Sequence, residues 1–169
     1  ELGHQRLKFW SAGCSTGEEP YSLAILAMET RVANQQPVLA ADIDKGVLAK
    51  AEKGVYQKRQ ITNTPKEWVS RYFTDVDANT VQVKKDVKDK VKFKPMNLIK
   101  DKFEAGFDLI LCRNVVIYFG PETKSALYAK FLSALRPGGY LMTGATEQIF
   151  DYKTLGFESV GPFLYRRPK

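Results

Sequence analysis

The chain has 169 residues, enough for one domain with a sizeable core, and 44% hydrophobic against 27% charged residues is an ordinary globular composition. Its longest apolar runs, such as Phe107–Cys112, are far too short to span a bilayer. The net charge of +7, with an isoelectric point near 9.3, favours an acidic partner: nucleic acid, a membrane surface or an acidic protein segment. Two cysteines, Cys14 and Cys112, show neither framework nor metal-ligand spacing, which points to a reducing, cytoplasmic setting. No charged-then-apolar leader is expected, and the abrupt start at Glu1 reads as that of a piece of a longer protein.

Leu7–Ala12 is expected as a strand that ends in the turn Gly13–Gly17. A helical pattern follows from Glu18 to about Asn34, with Leu23, Ala24, Ala27, Met28 and Val32 on one side, Pro20 in the first turn, and Thr16 or Ser15 as cap. Val38–Ala41 is a short apolar strand stopping at Asp42, and Lys45–Lys53 a short helix stopping at Gly54. Strand, helix, strand, helix implies a parallel sheet with crossover helices. The alternation then breaks. Pro65–Tyr72 is helical, Thr80–Lys84 and Lys90–Lys94 are strand-like, and Val55 to Pro95 reads as an inserted subdomain with antiparallel strands. Six lysines between Lys84 and Lys94 alternate with Asp86, Asp89 and apolar residues, as on a solvated hairpin face. Phe107–Cys112 resumes the buried strands, Pro121–Leu135 is an amphipathic helix, and Arg136–Gly139 is a turn before the strand Tyr140–Ala145. Phe157–Val160 and Leu164–Arg166 form a closing hairpin.

Three readings compete for Gly13-Cys14-Ser15-Thr16-Gly17. A hydrolase elbow needs a later histidine to activate Ser15, but the only histidine, His4, precedes the turn. A dinucleotide or P-loop site needs a helix N-terminus free for phosphate, and Glu18-Glu19 puts two negative charges there. A ligand that is cationic and lacks phosphate turns that liability around. S-adenosylmethionine, with its ammonium and sulfonium, suits a carboxylate such as Glu18, while Asp42 at the end of the second strand could accept bonds from ribose hydroxyls. The plainer alternative, that Glu18 and Asp42 only cap helices, stays open at this point.

The residues resemble a known family. Phe9-Trp10-Ser11-Ala12-Gly13-Cys14-Ser15-Thr16-Gly17-Glu18-Glu19-Pro20-Tyr21-Ser22 is similar to the cofactor loop of CheR-type chemotaxis receptor methyltransferases. Ala41-Asp42-Ile43-Asp44 with Val47–Ala51 and Gly54-Val55-Tyr56 resembles their second motif, and Cys112–Phe119 resembles their C-R-N-x-x-I-Y-F segment. Leu135–Gly139 resembles a turn shared by many methyltransferases and is less specific.

The resemblance implies an α/β, Rossmann-like fold, mostly parallel, with an antiparallel C-terminal hairpin and an inserted β-subdomain. It also implies S-adenosylmethionine as cofactor, giving glutamyl methyl esters on chemotaxis receptors and S-adenosylhomocysteine. Carried over, the binding residues are Gly13, Ser15, Gly17 and Glu18 in the first motif, Asp42 and Ile43 in the second, then Asn97, Leu98, Cys112, Arg113 and Asn114. Tyr118 and Arg113 are the catalytic candidates, and no metal is expected. The blander readings make Asn97 a turn residue and Tyr118 a core residue beside Phe119. Family members carry an N-terminal helical domain that the 169 residues do not include, and their β-subdomain in some cases docks a receptor tail. The short Thr74–Thr80 stretch leans towards a member that does not need the tail.

The chemistry suits these residues. A glutamate is already ionised at neutral pH, so methyl transfer to it needs no general base, only alignment and loss of water. The expected partners are the cytoplasmic helices of receptors, with no nucleic acid, no membrane insertion and a monomeric chain. A nucleic-acid methyltransferase would carry a D/N-P-P-Y/F pattern where Arg113-Asn114-Val115-Val116 stands. A non-catalytic cofactor-binding module is the remaining alternative, separable by methyl-ester formation. Cys14 and Cys112, at strand carboxyl ends, are expected as reduced thiols near the cofactor.

Overall fold

The computed structural model describes residues 7–30 and 36–169. Its main sheet has seven strands in the order β6-β2-β1-β7-β8-β10-β9. Strands β1 (Phe9–Ala12), β2 (Val38–Asp42), β6 (Val91–Pro95), β7 (Phe107–Cys112) and β8 (Leu135–Thr143) are parallel; β10 (Leu164–Arg166) and β9 (Glu158–Gly161) close the edge antiparallel. The mixed α/β architecture expected from the sequence is therefore the one observed. Helix α1 (Glu18–Glu29) and helix α5 (Pro121–Ala134) pack on the sheet through separate apolar clusters, one built around Tyr21, Leu23 and Val38, the other around Trp10, Phe107 and Phe131. Each fully buried aromatic or leucine there contributes about 1.5–3 kcal/mol relative to exposure.

Helix α2 (Lys45–Lys53) keeps its expected bounds, because Asp44 caps it by accepting from the Gly46 and Val47 N–H groups. Helix α1 starts where expected, but neither Ser15 nor Thr16 caps it. Gly17 occupies the cap position, and the Thr16 hydroxyl donates to Glu18 instead, at 2.6 Å. The expected end near Asn34, with Val32, lies outside the described residues.

The antiparallel insertion is a three-stranded sheet, β3-β5-β4, of Val55–Gln57, Thr80–Val83 and Phe73–Asp75, with α3 (Lys66–Tyr72) beside it. The lysine-rich stretch is not a hairpin. Lys85–Lys88 forms one helical turn, α4, and Val91–Pro95 joins the main sheet in parallel beside β2. Alternation explains this: Val91 and Phe93 pack against the buried Cys14, Ala40 and Leu48, while Lys92 and Lys94 stay exposed. Lysines along an edge strand also discourage pairing with another chain.

The turn expected at Arg136–Gly139 is a wide bulge inside β8. Phe107 pairs with Leu135 and Leu109 with Tyr140, so four residues stand opposite Asp108, whose carboxylate is bonded by Arg136. A short helix, α6 (Tyr152–Leu155), precedes β9. Among the described residues, no helix is long and apolar enough to cross a membrane.

Candidate active site

The strand order changes direction between β1 and β7, and in such sheets ligands bind beyond the carboxyl ends at that point. A cleft of about 460 Å³ opens there, within the range of small-molecule sites. Four chain segments line it: Gly13 and Ser15 after β1, Asp42 and Ile43 at the end of β2, Met96–Ile99 after β6, and Asn114, Val115, Tyr118 and Phe119 after β7.

The first turn is tied to β2. The Gly13 and Cys14 N–H groups both donate to the Ala41 carbonyl, at 2.8 and 2.9 Å. Ser15 sits in left-handed backbone (φ 48°) and donates its N–H to Asp42 Oδ2 at 2.8 Å. The other oxygen of Asp42 accepts from the Asp44 N–H at 3.0 Å. A carboxylate offers about four lone-pair directions, so Asp42 retains acceptor capacity at the lip of the cleft. Gly13 has φ 80°, and a Cβ there would come 2.3 Å from Val115 Cγ2, so only glycine lets the first and last segments meet.

Glu18 and Glu19 diverge. Glu18 is exposed and turned towards the insertion, where Gln60 Nε2 donates to it at 3.2 Å; it is not on the cleft wall. Glu19 turns inward, accepting from the Ser11 hydroxyl at 2.6 Å and facing Arg113 at 3.5 Å. Burial pushes the Glu19 carboxyl up, against the opposing pull of Ser11 and Arg113. Three more of the expected site residues lie off the wall. Arg113 is drawn towards Glu19, Gly17 lies under Ala51 and Tyr56, and Cys112 is wholly buried. Cys14 is also buried, and desolvation, helped by the Asp42 charge, pushes its thiol up to about 12. Both cysteines are free, yet neither side chain lines the cleft.

Asn97 is both turn residue and cleft wall. Its Oδ1 accepts from the Ile99 and Lys100 N–H groups, at 3.0 and 3.1 Å. Lys130 secures the same turn, donating its ammonium to the carbonyls of Leu98, Ile99 and Asp101 at 2.7–3.2 Å. Tyr118 is not a core residue: it is 80% exposed at the mouth, while Phe119 packs inward against the core.

Sequence reading missed Met96, Ile99, Val115 and Phe119, whose apolar side chains carry no chemical signature. It also missed Glu147, only 4% exposed, whose carboxylate accepts from the backbone N–H groups of Asn114, Val115, Val116 and Gly144 at 2.7–2.9 Å. An acid inside the otherwise uncharged Gly144–Phe150 segment was the available signal.

Among the described residues the cleft wall carries one carboxylate, two carboxamides, a serine and a tyrosine among apolar side chains, and no lysine or arginine. Such a donor set fits a nucleoside without phosphate: acceptors for paired hydroxyls at Asp42, and Ile43 and Leu98 as apolar surface for a flat ring. The profile of the CheR methyltransferase SAM-binding domain matches residues 2–161. This chain belongs to the CheR family. Its SAM-binding domain takes S-adenosylmethionine as cofactor, in agreement with the donor set.

CheR-family relatives follow it over most of its length. A chemotaxis protein methyltransferase of Listeria innocua is 38% identical over 160 residues, covering 95% of this chain and 61% of that protein. One from Borreliella burgdorferi is 39% identical over 170 residues, covering 97% and 59%. The chain thus spans about three-fifths of the length of the curated relatives it matches. Among solved structures, a TehB-like SAM-dependent methyltransferase from Corynebacterium glutamicum aligns with TM-score 0.55 at 16% identity, covering 96% of this chain and 79% of that one. At that identity the likeness speaks for the fold alone.

Proposed function

We propose that this CheR-family domain is the catalytic part of a protein-glutamate O-methyltransferase acting on the cytoplasmic helices of chemotaxis receptors. The observation that carries the reading is the cleft itself, which sets Asp42, in a wall without lysine or arginine among the described residues, at the switch point of the sheet. Bound S-adenosylmethionine supplies an electrophilic methyl group on its sulfonium. Asp42 would hold the ribose hydroxyls through its remaining lone pairs, with Gly13 and Ser15 forming the backbone floor beside it. Ile43 and Leu98 would flank the adenine, and Asn97 would present its carboxamide nitrogen, since its oxygen is committed to the turn.

The receptor glutamate arrives ionised, so the protein has no proton to remove and must align the carboxylate and exclude water. Tyr118, exposed at the mouth, would pack on or donate to that carboxylate; its exposure and its position on the cleft wall support this role. Arg113 supplies positive charge nearby, and its partnership with Glu19 keeps it from pairing so tightly with substrate that the nucleophile is blunted. Glu18, bonded to Gln60, would have to turn from the insertion to meet the cofactor ammonium. The net charge of +7 would steer the domain, acting as a cytoplasmic monomer, towards acidic receptor helices.

Calorimetric titration with S-adenosylhomocysteine, followed by transfer of a labelled methyl group to a receptor cytoplasmic fragment, tests the reading. Wild type is expected to bind, and Asp42→Ala to lose about 1–3 kcal/mol of affinity. A folded wild type that binds normally but labels no glutamate in the receptor would refute the methyltransferase assignment.

A further inference from the structure

The segment after β7 is built around an internal anion. Asn114 lies in left-handed backbone (φ 59°) and Val115 in right-handed helical backbone (φ −113°, ψ −48°). Successive residues of opposite hand turn their N–H groups to one side, forming a concavity that binds an anion. Here the N–H groups of Asn114, Val115 and Val116 converge on the carboxylate of Glu147, a residue from beyond the end of β8. One oxygen takes Val115 and Val116; the other takes Asn114 and, from its own segment, Gly144. All four partners are donors, so both oxygens act as acceptors only. Among the described residues Glu147 has no ion-pair partner. Gly144 makes the approach possible, because a Cβ there would lie 2.6 Å from both Glu147 Oε2 and Asn114 Oδ1.

We infer that Glu147 is a positioning residue for cofactor binding: it is the anion that holds Asn114 and Val115 in the shape that walls the cleft. This rests on the cofactor reading of that cleft. Glu147 does not itself line it. Its effect passes through the backbone, since the N–H groups of Asn114, Val115 and Val116 stay turned to one side while they share this acceptor. Glutamine cannot replace it, because the amide nitrogen would face two N–H donors.

The test combines amide hydrogen exchange in ligand-free protein with titration by S-adenosylhomocysteine, on wild type, Glu147→Gln, Glu147→Asp and Tyr165→Phe. Tyr165→Phe serves as control: it removes the hydroxyl oxygen that accepts a buried bond from the Ile149 N–H (2.8 Å), in the same segment and away from the cleft. In wild type the four amides are expected to be protected. In Glu147→Gln one pair exchanges faster and Kd rises about 10- to 100-fold. Glu147→Asp, which keeps both acceptor oxygens on a shorter stem, loses less, and it carries the test should the glutamine variant not fold. Tyr165→Phe lowers stability and leaves Kd within about twofold. Freed amides with an unchanged Kd, or an equal loss in Tyr165→Phe, would overturn the positioning role alone. Protected amides in a wild type that binds no S-adenosylhomocysteine would overturn the cofactor reading and the role together.

Discussion

Two turns face each other across the cleft, and each keeps a non-glycine residue in left-handed backbone by lending a carboxylate to backbone N–H groups. After β1, Asp42 holds Ser15; after β7, Glu147 holds Asn114. The difference is saturation. Asp42 sits at the lip with two backbone partners and room for more, whereas Glu147 is buried with four. A carboxylate that still has free lone pairs at a cleft can serve both the fold and a ligand; one whose oxygens are all taken serves the fold alone.

The largest expected effect breaks this comparison at its buried end. Glu147→Ala strands four N–H groups and should lower stability by about 4 kcal/mol, whereas Asp42→Ala, partly solvated, should cost about 1–2. Urea denaturation of both variants checks the ranking, and equal losses would mean that the two carboxylates do the same job. Gly13→Ala attacks the point where the turns touch. A Cβ at φ 80° and 2.3 Å from Val115 should cost about 3 kcal/mol and weaken S-adenosylhomocysteine binding as the segments separate. Calorimetry on that variant would count against the close approach if affinity were retained.

A pH dependence is expected at Glu19, the inward-facing acid in the first turn of α1. Because burial raises the folded-state value of Glu19 above its ordinary 4.5, the folded chain binds that proton more readily than the unfolded chain. This group's contribution therefore makes the fold less stable as pH rises from 4.5 through the folded value. Glu19→Gln removes that dependence, so the difference in stability between variant and wild type should move in the variant's favour from pH 4.5 towards neutrality. A flat difference in parallel urea titrations would exclude it. The smallest effect sharpens the backbone argument. Ser15→Gly relieves left-handed strain and should stabilise by about 0.5–1 kcal/mol, while Asn114→Gly should change stability by less, since asparagine tolerates that region. Thermal unfolding of both resolves the contrast.

The two turns also differ in how far the sequence disclosed them. Asp42 was legible because an acid that closes an apolar run is a pattern of contiguous residues, even though the Ser15 N–H it holds lies 27 residues away. Glu147 was not, since it closes no such run, and three of its four partners are backbone N–H groups 31–33 residues away that have no sequence signature. The lysine-rich stretch misled for a related reason. Alternation at Val91 and Phe93 predicts a strand but not its neighbour, and β6 found β2 in the main sheet where a local hairpin was expected.

The amino-acid sequence by itself determined most of the strand and helix segments, the glycine turn with its two acids, and the family, because periodicity and contiguous motifs are properties of near neighbours along the chain. Only the tertiary structure decided which acid turns inward. Glu18 and Glu19 are adjacent and chemically alike, but one meets Gln60 and the other Ser11 and Arg113. It also decided that Arg113 and Cys112 stand off the wall, that Tyr118 is free at the mouth, and that Glu147 holds the far side. Those outcomes depend on which surfaces packing brings within hydrogen-bond distance, and such distances follow from the assembled sheet rather than from spacing along the chain.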